Sequence, residues 1–129
     1  MSLALVAVIA MSLLVACNKS YSDKPTEAKE QVERNKFVVT AFYDSSKEPD
    51  PYGQIGYLVA KKSSTNKTVT LRIYFYDTPA NAYIALEEME ADLIIERLSN
   101  FGGKLSYRVD GSKIVVKKTV KGLSGGMWG

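Results

Sequence analysis

Apolar and polar residues alternate with the two-residue period of a β-strand in several parts of the chain. In the clearest case, Thr68 to Tyr76, the odd positions are aliphatic or Phe and the even positions are Thr, Arg or Tyr. Such alternation is typical of a strand with one buried face. A loop of hairpin length, residues 63–67, joins this segment to an apolar segment at residues 54–62. β-Branched and aromatic residues predict a further strand at residues 37–43.

After residue 76, the apolar residues recur at the three- and four-residue spacing of a helix. Asp77-Thr78-Pro79 is typical of a helix start, and Gly102-Gly103 predicts a stop after about Asn100. One apolar group recurs at helical spacing: Ala82, Leu86, Met89 and Leu93. A second group widens the apolar surface: Tyr83, Ile84, Ala91, Ile94, Ile95 and Leu98. We therefore expect the helix to be buried over more than one face, between the sheet and a partner or its own loops.

The end of the chain contains the strongest hairpin signal. Residues 104–109 and 112–117 flank Asp110-Gly111, a dipeptide that suits a tight type I′ turn. The order of elements is a weak helix, three strands, a long helix and two strands. This order predicts an α+β fold, with a small, mainly antiparallel, five-stranded sheet and the long helix packed on one face.

The apolar positions also predict which sheet face the long helix covers. We expect Leu86, Met89 and Leu93 to pack on Leu71, Ile73 and Phe75. The complete predicted face is Val69, Leu71, Ile73, Phe75, Leu105, Tyr107, Val109, Ile114 and Val116. The opposite, polar face is predicted to carry Arg72, Tyr74, Tyr76, Arg108 and Lys117.

The amino-acid composition excludes several classes of catalytic and metal-binding site. The 129 residues fit one domain, and they include one Cys and no His. Ser/His and Cys/His catalysis, His-ligated metals, zinc clusters and an intramolecular disulfide are therefore excluded. The net charge of +3 is small for a nucleic-acid-binding domain. We expect no enzymatic activity, no cofactor, no metal and no nucleic-acid partner.

The amino terminus carries the one specific motif. Residues 1–16 are apolar and uncharged, and Cys17 opens a polar stretch. This apolar run is too short to span a bilayer comfortably. Leu14-Val15-Ala16-Cys17 resembles the lipobox of bacterial lipoproteins. The resemblance implies cleavage before Cys17, a diacylglycerol on its sulfur and acylation of the new amino terminus. The alternative is an uncleaved apolar anchor with an incidental Cys.

Asn18 and the segments that follow it predict the membrane location of the protein and the division of the chain. In the lipoprotein family, Asp at that position favours inner-membrane retention, so Asn18 implies the outer membrane, facing the periplasm, where an organism has two membranes. Residues 1–16 are predicted to be a signal peptide, and residues 17–35 a lipid-anchored polar tether that forms at most a short helix. The α+β domain is expected at residues 36–121, followed by a flexible Gly-rich tail at residues 122–129.

Three surfaces are candidates for function. The polar sheet face of Arg72, Tyr74, Tyr76, Arg108 and Lys117 could bind a partner, because Tyr and Arg supply binding energy when desolvated; an ordinary solvated face is the alternative. The others are the acidic line Glu88, Asp92 and Glu96 and the tail residues Met127-Trp128. The leading hypothesis is an envelope lipoprotein that acts as a non-enzymatic interaction module for an envelope protein. The alternative is a binding module for a small anionic or amphiphilic ligand, held between helix and sheet.

Overall fold

A computed structural model describes residues 20–100 and 102–121 of the chain. Two helices and five strands follow one another in the order α-β-β-β-α-β-β, so the α+β prediction is confirmed. The predicted signal peptide, Cys17 and the tail at residues 122–129 lie outside the described residues. The elements are α1 (Pro25–Arg34), β1 (Val38–Asp44), β2 (Gln54–Ser64), β3 (Lys67–Tyr76), α2 (Pro79–Ser99), β4 (Lys104–Asp110) and β5 (Lys113–Lys121).

The five strands form one antiparallel sheet in the order β1-β2-β3-β5-β4. The predicted helix start is confirmed, because the Thr78 side chain caps α2 by accepting a hydrogen bond from the Asn81 backbone N–H at 3.1 Å. The predicted hairpin joins β4 to β5, but its turn is Gly111-Ser112, because Asp110 pairs with Lys113. Gly111 has a φ of 65°, whereas neither Asp110 nor Ser112 has a positive φ, so the type I′ turn predicted at Asp110-Gly111 was wrong. Helix α2 therefore leads to the edge strand β4, and the chain returns through β5 to pair with β3.

The two helices pack on opposite faces of the sheet. Helix α1 covers the face that carries Leu71, Ile73 and Phe75. Helix α2 packs on the other face, against a cluster formed with its own Ala82 and Leu93: Tyr76, Leu105, Ile114 and Val116. The prediction that Leu86, Met89 and Leu93 pack on Leu71, Ile73 and Phe75 was therefore wrong.

Strand register explains this error. Ile114 is the pairing partner of Tyr74, and Val116 is the partner of Arg72. Paired residues on neighbouring strands point to the same face, so the apolar residues of the last hairpin share a face with the even positions of β3. A register shifted by one residue would have produced the predicted arrangement.

Helix α1 is part of the folded domain. Its Pro25, Ala28 and Val32 are fully buried against the sheet. A Cβ atom at Gly56 would lie 2.5 Å from the Cγ atom of Pro25, so the glycine lets the helix approach β2 closely. The segment before α1 is also held, because the buried Lys113 Nζ donates a hydrogen bond to the Asp23 carboxylate at 2.7 Å. The domain thus begins well before the predicted residue 36.

Helix α2 is covered on one side only among the described residues. Ala82 and Leu93 are buried, and Leu86 and Met89 are half-buried. The second apolar group, which was expected to be buried as well, is exposed. In the part of the chain that the structure describes, no helix is both long and apolar enough to cross a membrane.

Candidate functional site

The predicted interaction face does not exist as one surface. Arg72, Tyr74 and Tyr76 lie on the sheet face that α2 covers, whereas Arg108 and Lys117 lie on the α1 face. The register decides this split, because Lys117 pairs with Leu71, and Arg108 pairs with Val115. Tyr76 is 4% exposed and belongs to the core. The prediction of a single five-residue face was therefore wrong.

Arg72 holds α2 to the sheet. Its two Nη atoms donate hydrogen bonds to the two carboxylate oxygens of Glu96, at 2.9 and 2.8 Å. The Lys118 Nζ lies 3.2 Å from the same carboxylate. These bonds, the ones from Arg72 above all, lower the pKa of Glu96 to about 2. Arg72 is thus engaged within the fold.

The acidic line does not form a site either. Glu96 is bound to Arg72 and Lys118, whereas Glu88 and Asp92 are exposed. Across residues 20–100 and 102–121, no three His, Cys, Asp or Glu side chains are grouped so that they could hold a metal ion. The third candidate, Met127-Trp128, lies outside the described residues.

Each helix leaves part of its sheet face uncovered. Helix α1 contacts β1 and β2, and helix α2 contacts β3, β4 and β5. The α2 face is therefore open over β1 and β2. A row of tyrosines runs from β3 into this open part: the ring centroids of Tyr74 and Tyr57 are 5.0 Å apart, and those of Tyr57 and Tyr43 are 6.2 Å apart. On the α1 face, Lys117 of β5 and Ser106 and Arg108 of β4 are exposed, whereas Lys113 and Val115 of β5 are buried.

A groove of about 550 Å³ lies on the α1 face, where residues of β2, β3, β4 and β5 line it together with Tyr21 and Phe37. We name it the basic groove. Four cations line it, and no carboxylate does among the described residues. The cations are Lys62, Lys67, Arg108 and Lys117; the other lining residues are Tyr21, Phe37, Ser64, Val69, Leu71, Ser106 and Val115.

Pairing between neighbouring strands places cationic and apolar residues side by side in the basic groove. Lys117 lies between its pairing partners Leu71 and Ser106, and Arg108 pairs with Val115. Cationic side chains thus stand directly beside apolar ones on the same face. The apolar floor is Val69, Leu71 and Val115, of which Leu71 and Val115 are almost fully buried and Val69 is half-buried. The half-buried Phe37 and Tyr21 form the side next to α1, where burial raises the pKa of Tyr21.

The charges of the basic groove are only partly neutralised. Arg108 Nη2 lies 3.8 Å from the Asp110 carboxylate. Lys62 Nζ donates to the Asn35 carbonyl at 3.0 Å and lies 5.6 Å from the Phe37 ring centroid. Within the described part of the chain, no carboxylate lies within 4.0 Å of the ammonium group of Lys67 or Lys117. A concave surface with unmatched positive charge concentrates anions.

No protein-family model, curated protein or solved structure matches the chain. The cations and hydroxyl groups of the basic groove can donate hydrogen bonds to an anion, and its floor can contact apolar carbon.

Sequence reasoning identified two of the four groove cations, Arg108 and Lys117, and missed Lys62 and Lys67. A signal was present, because lysines cluster around the predicted loop at residues 63–67. Their convergence with Arg108 depends on the pairing of β5 with β3, which the hydrophobic pattern does not specify.

Proposed function

We propose that this chain is a lipid-anchored, non-enzymatic protein of the cell envelope whose domain binds an anionic ligand that also has an apolar part. The observation that carries the proposal is the basic groove. Four cations line this groove together with an apolar floor, and none of the described carboxylates lines it. Ligand binding between a helix and the sheet was the alternative hypothesis from the sequence. The proposed site lies on the face of α1 instead of under α2.

The energetics favour an anion in this position. Hydrogen bonds to charged groups contribute about 1.5–3 kcal/mol each, because both Coulomb attraction and hydrogen bonding act. The floor adds roughly 25 cal/mol for each Å² of apolar ligand surface that it removes from water. The groove volume of about 550 Å³ also falls in the usual range for small-molecule sites, about 300–1,000 Å³.

The proposed anchor narrows the ligand to an anionic amphiphile at a membrane surface. Tyr21 lines the groove, and Cys17 precedes it by four residues. A chain of that length spans at most about 14 Å when extended. Acylation of Cys17 would therefore keep the basic groove within reach of lipid headgroups. Headgroup phosphate and the adjoining carbon chain match the cations and the floor.

Titration calorimetry of the full chain in a neutral detergent tests the proposal with three probes: hexyl phosphate, inorganic phosphate and hexanol. We expect hexyl phosphate to bind most tightly, because only this probe engages both cations and floor. The affinity should fall as salt rises, since salt screens the groove charges. Equal affinity for inorganic phosphate would indicate a soluble anion and contradict an amphiphilic ligand.

Substitutions in the groove provide the second comparison. Lys67→Gln with Lys117→Gln should weaken hexyl phosphate binding by more than about tenfold, because two charge-assisted contacts are lost. Lys47→Gln is the matched control, since Lys47 is exposed in the loop between β1 and β2 and does not line the groove. Unchanged affinity in the double variant would refute the site.

A second candidate function is protein–protein interaction, as the sequence analysis proposed. One observation favours it, which is the set of large hydrophobic residues on the side of α2 that faces away from the sheet.

A further inference from the structure

The sheet carries opposite charges at its two ends. Both carboxylates within the strands, Asp44 and Asp110, lie in the row that pairs Gly56, Phe75 and Lys113 across the sheet. The opposite end consists of the last four rows, those of residues 61–64 in β2, and no Asp or Glu lies in these rows of the described sheet. Exposed lysines lie there instead. We name them the basic end: Lys61, Lys62, Lys67, Lys104 and Lys121.

The charges of the basic end are not matched within the fold. None of its five ammonium groups lies within 4.0 Å of a carboxylate in residues 20–100 and 102–121. Lys67 and Lys121 are direct pairing partners on β3 and β5. Like charges in this position destabilise a sheet. Proteins retain such locally unfavourable arrangements mainly at functional sites, and a bound anion would remove the repulsion.

We propose that the basic end binds a flexible linear polyanion with phosphate in its repeating unit. One row joins Lys62 to Lys104 through Val69 and Thr119. This row crosses three strand spacings, or about 14 Å, which is more than a single phosphate can bridge. An ammonium group binds phosphate as a point charge without a fixed geometry, so the lysines suit a flexible chain of phosphates.

The proposed site extends beyond the basic groove. Lys62 and Lys67 line the groove as well, whereas Lys61, Lys104 and Lys121 do not. The groove ligand needs an apolar part for the floor, and the polyanion needs only repeated charge. The two proposals can therefore be tested with different probes and different variants.

The residues around these lysines disfavour a protein or a nucleic acid as the ligand. Protein interfaces are depleted in Lys and depend on aromatic or Arg anchors. Single-stranded nucleic acids stack their bases on aromatic side chains. No aromatic residue and no Arg lies in the last four rows of the described sheet, and Phe37, just before β1, is half-buried. The basic end thus offers charge without a stacking surface.

The basic end is also distant from the anchor proposed above, and this step alone rests on that anchor. Ser20 is bonded to Asp110, whose pairing partner Lys113 lies at the start of β5. From Lys113 to Lys121 the strand spans about 27 Å. Charge on the anchoring bilayer is screened within about 8 Å at physiological salt. A domain with its strands directed away from the bilayer therefore presents the basic end to a polymer on the far side.

Titration calorimetry of the full chain in a neutral detergent tests the ligand class. The probes are long-chain inorganic polyphosphate, tripolyphosphate, polyglutamate and a single-stranded oligonucleotide. We expect polyphosphate to bind at least about tenfold more tightly than tripolyphosphate, because only the long chain reaches the lysines at both sides of the sheet. Polyglutamate or the oligonucleotide binding as tightly as polyphosphate would assign the basic end to an acidic protein or a nucleic acid and overturn the inference.

A pair of substitutions outside the basic groove tests the site. Lys104→Gln with Lys121→Gln should weaken polyphosphate binding by more than about tenfold and reduce the slope of log K against log salt by about two, one for each lost contact. The affinity for hexyl phosphate should not change, since neither residue lines the groove. A parallel loss of hexyl phosphate binding would merge the two sites and overturn the inference, whereas failure of hexyl phosphate to bind the wild-type chain would affect only the groove proposal.

The matched control is Lys24→Gln with Lys47→Gln. This pair removes the same charge from two exposed lysines outside the basic end. It should leave polyphosphate binding nearly unchanged, and an equal weakening by both pairs would show that net charge alone attracts the probe.

Nanodiscs test the bilayer as the competing ligand. The full chain is anchored in discs of phosphatidylcholine or of phosphatidylcholine with phosphatidylglycerol, and polyphosphate is titrated at physiological salt. We expect equal affinities, because the basic end faces away from the lipid. A loss of affinity that requires phosphatidylglycerol would place the basic end on the bilayer and overturn the inference.

Discussion

Glu96 shows how much the role of one carboxylate depends on its position around a helix. It lies one turn beyond Asp92 and two turns beyond Glu88, yet it alone of the three accepts hydrogen bonds from Arg72. The Arg72 guanidinium is largely covered by α2, and its Nε atom has no hydrogen-bond partner in the described structure. The bonds to Glu96 are therefore the main interaction that offsets the free-energy cost of removing the Arg72 guanidinium from water beneath α2.

Replacing Glu96 with Gln should reduce stability in a pH-dependent way. We expect a loss of about 1–2 kcal/mol at pH 7, because two charge-assisted hydrogen bonds are weakened at a partly exposed site. Since the folded pKa is lowered to about 2 from 4.5, this contribution is fully present above the unfolded pKa and is lost as the pH falls towards 2. Urea unfolding of both chains at pH 7 and pH 2.5 measures the difference.

The control for this prediction is Asp92→Asn, which removes an exposed carboxylate from the same helix. Its effect at pH 7 should stay within about 0.5 kcal/mol. A Glu96→Gln deficit that is as large at pH 2.5 as at pH 7 would show that lost packing, and not lost charge, is responsible.

At the scale of elements, α1 contributes more than its sequence suggests. Only Ala28 and Val32 are apolar at helical spacing between residues 26 and 35, and the propensity for an isolated helix is weak. Both residues are nevertheless fully buried in the cluster with Leu58, Ile73 and Phe75. Two small apolar residues suffice because Gly56 lets the helix backbone come close to the sheet. Tertiary packing therefore stabilises a segment that sequence reasoning assigned to a tether.

We expect Val32→Ala to lower the free energy of unfolding by about 2 kcal/mol, through the lost burial and the cavity that remains. Denaturant melts of the full chain in detergent measure this value. Glu30→Ala, an exposed change in the same helix, should alter it by less than about 0.5 kcal/mol. An equally small effect of Val32→Ala would support the tether interpretation.

At the scale of the whole molecule, the proposed anchor and the described domain are separated by very few residues. Ser20 already contacts the domain, since its hydroxyl donates a hydrogen bond to the Asp110 carboxylate at 3.2 Å. Residues 18 and 19 are all that separates Cys17 from this contact. A lipidated Cys17 would thus hold the domain close to the bilayer, with little freedom to move away from it.

Mass spectrometry of the chain extracted from membranes tests the anchor. We expect a mature amino terminus at Cys17 that carries acyl chains, and two or more chains are needed for stable anchoring. Cys17→Ser should release or misprocess the protein. Detection of Met1 together with an unmodified Cys17 thiol would contradict the lipobox interpretation and favour the uncleaved apolar anchor.

The local pattern of this sequence determined the elements and their order. Alternation at β3, the Thr78 cap of α2 and the hairpin of β4 and β5 are short-range features, and each is confirmed in the structure, although the hairpin turns at Gly111-Ser112. They could be predicted because period, capping and turn chemistry depend on neighbours a few residues apart.

Only the tertiary structure decided which faces meet. Alternation separates the two faces of β3, but periodicity alone does not say which helix covers each face, so it could not assign Leu71 to α1 and Tyr76 to α2. Strand register made that choice, and it also divided the predicted face and placed Lys67 and Arg108 on the same face, where both line the basic groove. Register depends on contacts between residues far apart in the chain, and a shift of one position exchanges the two faces of a strand.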